Sequence, residues 1–181
     1  MMLKRLMQDH RHISILISIL DRKASKLERG EHVDFSLIKD IVSYMQDYAE
    51  HSHHPFEDII YEYYLELTQD EKTTNRLASE HIKLSGDTAI LMASLTMILN
   101  DVVIPRDKLI RDLHQYVSSQ RAHMHYEEHV IFPMLDQKLT PDDWEAVGDR
   151  CQIKLIEDPL FSDNDSQVFQ ELKDFITQDS H

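Results

Sequence analysis

His123-Met-His-Tyr-Glu127-Glu-His-Val-Ile-Phe-Pro-Met-Leu135 is the stretch whose reading decides the fold, and it has an earlier echo in His53-His-Pro-Phe-Glu57-Asp-Ile-Ile-Tyr-Glu-Tyr-Tyr64. Each places a Glu four residues after a His and then runs into apolar residues. On an α-helix four residues turn about 400° and rise about 6 Å, so His53 and Glu57, and likewise His123 and Glu127, share one face. Each pair can grip a cation from two points. Two such pairs facing each other point to a dinuclear centre, and the rest of the chain tests that idea.

Apolar residues at three- and four-residue spacing extend outward from both stretches, the signature of helices with one buried seam. Leu3, Leu6, His10, Ile13, Ile17, Leu20, Ala24 and Leu27 form the first seam, ended by Gly30. Asp34 or Ser36 caps a second helix reaching about Leu67, with Ile38, Val42, Met45, Ala49, His53, Phe56, Ile60 and Tyr63 on its seam. Pro55 lacks an amide hydrogen and crowds the preceding turn, so a kink or a helix restart is expected there. A third helix runs from about Thr74 to Asn100 with Leu77, His81, Leu84, Thr88, Leu91, Leu95 and Ile98 inward, and Gly86 reads as a close-packing position. The fourth, with Pro105 in its first turn, carries Leu109, Leu113, Tyr116, Gln120, His123, Glu127, Val130 or Ile131, and Met134 to about Lys138.

Thr140-Pro-Asp-Asp-Trp144 opens a shorter helix to about Ile156, and a last one starts near Asp165 and carries Val168, Phe169, Leu172, Phe175 and Ile176. With 3 Gly and 5 Pro in 181 residues, breakers are few, and no strand pattern appears. The expected fold is all-α, an up-down-up-down four-helix bundle over 1–138 with two shorter C-terminal helices. Residues 139–181 then form an extension packed on the same domain.

Heights along the bundle can be matched by counting. His10 lies about 18 residues before the end of helix one, and His53 about 19 after the start of helix two. From His81 to the end of helix three is about 19 residues, and from the start of helix four to His123 about 17. Antiparallel neighbours therefore bring His10, His53, His81 and His123 to one level, where Glu57 and Glu127 join them. His12, His51, His54, His125 and His129 fall off the seams and read as surface or structural residues. Six buried polar groups in one layer need a partner, and a bound cation supplies it.

Composition narrows the partners. The 33 acidic residues outweigh 19 basic ones, and no Lys/Arg run occurs, which argues against nucleic acid and anionic membranes. The Ile13 to Leu20 run is short, broken by Ser14 and Ser18, and flanked by Asp9 and Asp21, so it is neither a signal core nor a membrane span. A single cysteine, Cys151, excludes an internal disulfide and a cysteine-ligated cluster within one chain, and makes the cytoplasm the expected compartment. A monomer or homodimer is expected, with no protein partner specified.

Four imidazoles and two carboxylates suit iron, manganese or zinc, and each carboxylate can bridge two ions. Neither a His-Glu-x-x-His motif nor a second copy of Glu50-x-x-His53 is present, which argues against a protease-type zinc site and a ferritin-type di-iron site.

Asp9-His10-Arg11, His53-His-Pro-Phe-Glu57-Asp58, Glu80-His81 and His123-Met-His-Tyr-Glu127-Glu-His-Val-Ile-Phe-Pro133, in this order and spacing, resemble the hemerythrin-like, or HHE cation-binding, family. Leu139-Thr-Pro-Asp-Asp-Trp144 and Asp158-Pro-Leu are similar too, so the likeness covers most of 1–160. The resemblance implies a non-haem centre of two iron ions with a bridging oxo or hydroxo group and with Glu57 and Glu127 as bridges. It also implies roles in binding dioxygen, sensing oxygen or iron, handling nitric oxide, or repairing stress-damaged iron centres. Oxygen-carrying members have a His four residues after the third-helix His, where this chain has Ser85, and an Asp where it has Glu128. The four-His, two-Glu set is more similar to the iron–sulfur repair branch. The expected function is binding or reduction of dioxygen, nitric oxide or peroxide. A metal-stapled, non-enzymatic sensor or interaction protein acting through its C-terminal helices is the alternative, and the sequence leaves catalysis open.

Overall fold

The computed structural model describes residues 2–151, 158–161 and 169–179. Helix α1 spans Met2–Glu28, and α2 (Phe35–Tyr44) passes through a π-helical stretch, Met45–His53, into α3 (His54–Thr68). Helix α4 is Glu71–Leu99. Helix α5 (Arg106–Tyr126) passes through a second π-helical stretch, Glu127–Ile131, into α6 (Phe132–Lys138). The shorter α7 (Pro141–Cys151) packs on α3, and α8 (Gln170–Asp179) packs on α2. Four long rods, α1, α2–α3, α4 and α5–α6, form the expected all-α bundle, and the described residues hold no strand.

The ends of the rods follow local chemistry. Gly30, at φ 82°, closes α1 with the paired bonds Glu31 N–H to Lys26 O (2.9 Å) and Gly30 N–H to Leu27 O (3.1 Å). The Asp34 carboxylate, at the N-cap, accepts from the amides of Ser36 and Leu37. Asp70 caps α4, which therefore starts at Glu71, three residues before the expected Thr74. Pro105 stands at the N-cap position of α5, just outside the first turn. The expected helix from about Asp165 is described only from Gln170, so Val168 and its predecessors lie outside the described residues, as does the expected end of α7 near Ile156.

At Pro55 the expected restart is found, the α-helix resuming at His54 with the proline in its first turn. The rod absorbs it by widening: the His54 amide bonds back to Ala49 O, five residues earlier, one turn before the proline ring must fit. Pro133 follows the same plan, with the Phe132 amide bonded to Glu127 O. π-Helical stretches occur mostly inside α-helices and often at functional sites. Here one ends on His53 and the other begins on Glu127.

Two apolar cores sit at opposite ends of the rods. One gathers Ile13 to Leu27, Leu37 to Ala49, Leu91, Leu95 and Leu109 to Met124; the other gathers Leu6, Phe56 to Tyr64, Leu77, Ile131 to Leu139, Val147 and Cys151. Each rod changes from one core to the other at the same height, and the gap is filled by His10, His53, His54, His81, His123, Glu57 and Glu127, all buried. By length and composition α4 could cross a bilayer, but its inward stripe packs against α2, α3 and α5 and carries His81 into this gap. Gly86 meets no atom within 4 Å of where a Cβ would stand, so it is not the close-packing position its place in α4 suggests.

Candidate metal centre

All six expected residues meet in the gap. Glu57 Oε1 lies 2.9 Å from His53 Nε2 and 3.3 Å from His10 Nε2, while Oε2 lies 3.2 Å from His81 Nε2. Glu127 mirrors it, with Oε2 3.3 Å from His10 Nε2 and Oε1 3.3 Å from His123 Nε2 and 3.6 Å from His81 Nε2. Each carboxylate thus divides its two oxygens between a His10 side and a His81–His123 side. Tyr61 donates its hydroxyl to Glu127 Oε1 at 2.6 Å.

Every one of these four histidines turns Nε2 inward because Nδ1 is held from outside. Asp9 takes the Nδ1–H of His53 (3.1 Å), Asp58 that of His81 (2.7 Å), Glu80 that of His123 (2.8 Å) and Glu128 that of His10 (3.0 Å). The four carboxylates form a closed ring, each sitting next in sequence to a residue of the layer on its own rod while holding a histidine of the next rod. Such partners fix tautomer and ring orientation and raise the basicity of the inward nitrogen. Sequence reasoning passed over them as holders, although the doublets Asp9-His10, Glu57-Asp58, Glu80-His81 and Glu127-Glu128 carry the signal.

His54 is a residue that seam counting misplaced. It is buried, its ring stacks on His81 at 4.1 Å and 8°, and its ligand atom lies within 4.8 Å of those of Glu57, His81 and His123. The widened turn before Pro55 changes the angular step per residue, so a position read as off the seam is carried inward. His51, His125 and His129 stay exposed, as expected, and His12 stands apart against Phe161.

The electrostatics follow from packing carboxylates and imidazoles together in a dry layer. Burial disfavours the charged forms, but Glu127 and Glu57 outweigh it at His10, raising it to about 10. Glu57 and Asp9 likewise raise His53 to about 9, and Asp58, Glu127 and Glu57 raise His81 to about 12. Against their own burial, Glu57 is held well below the usual carboxylate range, chiefly by His53, and Glu127 is lowered by His10 and His81. His54 is pushed the other way, by burial and then by the charge on His81, and stays neutral.

Among the described residues, no hydrogen bond reaches Glu57 Oε2, His81 Nε2, His123 Nε2 or Glu127 Oε2, all buried. The oxygens and nitrogens approach to 3.2–3.6 Å without the alignment of a shared proton. Buried polar atoms left without partners in this way fit bound cations, with Glu57 Oε2, His81 Nε2 and His123 Nε2 on one side of the layer and Glu127 Oε2 on the other. The family model of the hemerythrin HHE cation binding domain matches residues 1–135. The chain belongs to this family. Membership over three quarters of the sequence, with a buried His/Glu cluster in the bundle, makes it a metal-binding hemerythrin-like protein of the non-haem iron type. Comparison with curated proteins returned no match.

A cavity of about 220 Å3 between α4 and α5, lined by Arg76, Glu80, Lys83, Ser119 and His123, reaches the layer from one side. On another side, a groove of about 650 Å3 between α1 and α6 is bounded by Glu128 and Phe132, both of which touch His10.

Proposed function

We propose that the layer holds two iron ions and serves to bind or reduce a small ligand: dioxygen, nitric oxide or peroxide. The division of Glu57 and Glu127 between the two histidine groups carries this reading, because a carboxylate that faces two sets of imidazoles with different oxygens is placed to bridge two ions. His10 and His53 with Glu57 would hold one ion, and His54, His81 and His123 with Glu57 the other, while Glu127 reaches both sides. A pair of redox-active ions would supply one-electron steps and open coordination positions, and the protein orients the ligands and excludes water. The His10–His53 side has fewer protein donors, so it is the side for the incoming ligand. Manganese and zinc suit the same donors, and the iron–sulfur repair role belongs to the same proposal, supported by the four histidines and two glutamates named above.

Visible absorption of anaerobically reduced, iron-loaded protein exposed in turn to oxygen, nitric oxide and peroxide tests the reading. A new absorption band with at least one of the three is expected. Bound iron whose spectrum ignores all three would contradict it.

A further inference from the structure

Two histidines outside the layer lie four residues apart on the outer face of the fourth rod. His125 is in the last turn of α5, His129 is in the π-helical stretch that follows, and both are exposed. Their rings stack with centroids 4.0 Å apart and planes 28° from parallel. The Nδ1–H of His129 donates to the His125 carbonyl oxygen at 2.9 Å, which leaves Nε2 as the nitrogen with a free lone pair. Among the described residues no other hydrogen bond or ion pair involves either ring. Arg121, one turn earlier, is paired with Asp21 on α1 at 2.9 Å, so its charge is held by another rod.

Histidines at i and i+4 present their rings on one side of a helix, the spacing by which a single helix supplies two metal ligands. A Zn2+ ion bonds imidazole nitrogen at about 2.0–2.1 Å, so two nitrogens that share it stand at most about 4.2 Å apart, and about 3.3 Å apart in a tetrahedral site. Ring centroids 4.0 Å apart match that span, so capture of an ion needs a turn of the side chains and no movement of the helix. Imidazole donors select Zn2+, Cu2+ or Ni2+ over the harder Mg2+ and Ca2+. The net charge of −14 draws any cation towards the surface.

The pair also straddles Glu127, the residue at which α5 gives way to the π-helical stretch and which faces the buried layer. We propose that His125 and His129 form an external site for one divalent ion of the Zn2+, Cu2+ and Ni2+ class, separate from the buried layer and with water completing its coordination. By tying residue 125 to residue 129, the ion clips the widened turn from which Glu127 enters the layer.

The test uses the full-length protein with Ni2+ as the probe. Wild type, His125→Ala and His129→Ala, each purified without added metal, are titrated calorimetrically, and amide hydrogen exchange is followed over residues 123–131. Wild type should bind one more ion per chain than either variant, and Ni2+ should slow exchange in this segment about tenfold more in wild type than in either variant. Both substitutions are on the surface, so the metal-free thermal midpoints should agree, which guards against a variant that fails to fold. Equal ion counts in the three proteins overturn the site. An extra ion in wild type with no difference in exchange overturns the clip. The count is a difference between proteins that share the same layer, so it stands apart from the proposed iron pair: iron that binds to none of the three would contradict that pair, while the extra Ni2+ would still establish the external site.

Discussion

The two sides of the polar layer are built differently. One side brings together His54, His81 and His123, has the cavity between α4 and α5 beside it, and includes a neutral ring stacked on a charged one. The other has only His10 and His53, and its Asp9 leads to Tyr48. Glu57 belongs to both. On the proposed two-ion reading, one well-filled position would anchor an ion and one under-filled position would be left for chemistry. The two bordering cores show no such division, each drawing apolar side chains from all four rods.

The largest way to break the comparison is to remove what the sides share. Glu57→Ala should leave the protein with almost no bound metal, because both ions lose a donor and the buried imidazoles lose their counter-charge. His53→Ala should strip the under-filled side alone, halving the metal content. His54→Ala should keep both ions but weaken the better-filled side by at least the ~10–100-fold typical for loss of an outer partner. Isothermal titration with Mn2+ or Fe2+ under anaerobic conditions distinguishes the three. Equal losses in His53→Ala and His54→Ala would erase the difference between the sides.

The ring of carboxylates gives a finer test. Asp9→Asn and Asp58→Asn should each weaken metal binding by ~10–100-fold, with Asp9→Asn at the upper end because its side chain is 9% exposed against 45% for Asp58. Competition titration with a chromogenic chelator measures both, and identical losses would show that burial of the holding carboxylate has no influence.

The smallest effect expected is a pH dependence of opposite sign in the two forms. In the metal-free protein the folded values of His53, His10 and His81 lie at about 9, 10 and 12, above the ~6.5 of a free histidine. Their pairing with carboxylates therefore stabilises the fold fully below about pH 6.5 and fades as pH rises through those values. A metal needs the neutral imidazoles, so its stabilisation grows over the same range. Thermal midpoints recorded from pH 6.5 to 9 should fall without metal and rise with it; parallel slopes would argue that these histidines are not the metal's ligands.

The bundle was legible because its seams repeat at three and four residues over four long rods, and the layer because antiparallel rods with short turns make height countable. Six residues could be placed from that arithmetic. His54 could not, since counting at a constant angle assumes an unbroken α-helix and the widened turn at Met45–His53 violates it. The holding carboxylates were visible as neighbours of the six, but which histidine each would hold depends on contacts between rods, which spacing along one rod does not encode. Tyr61 was hidden for the same reason: its place on α3 is ordinary, and only the approach of Glu127 from the other rod gives its hydroxyl a role.

Metal content of the chain, purified without added metal and again after anaerobic reconstitution with Fe2+, tests the central claim most directly. Two ions per chain in the reconstituted protein, falling to nearly none in Glu57→Ala, is the result this account predicts. One ion per chain that survives Glu57→Ala would contradict it.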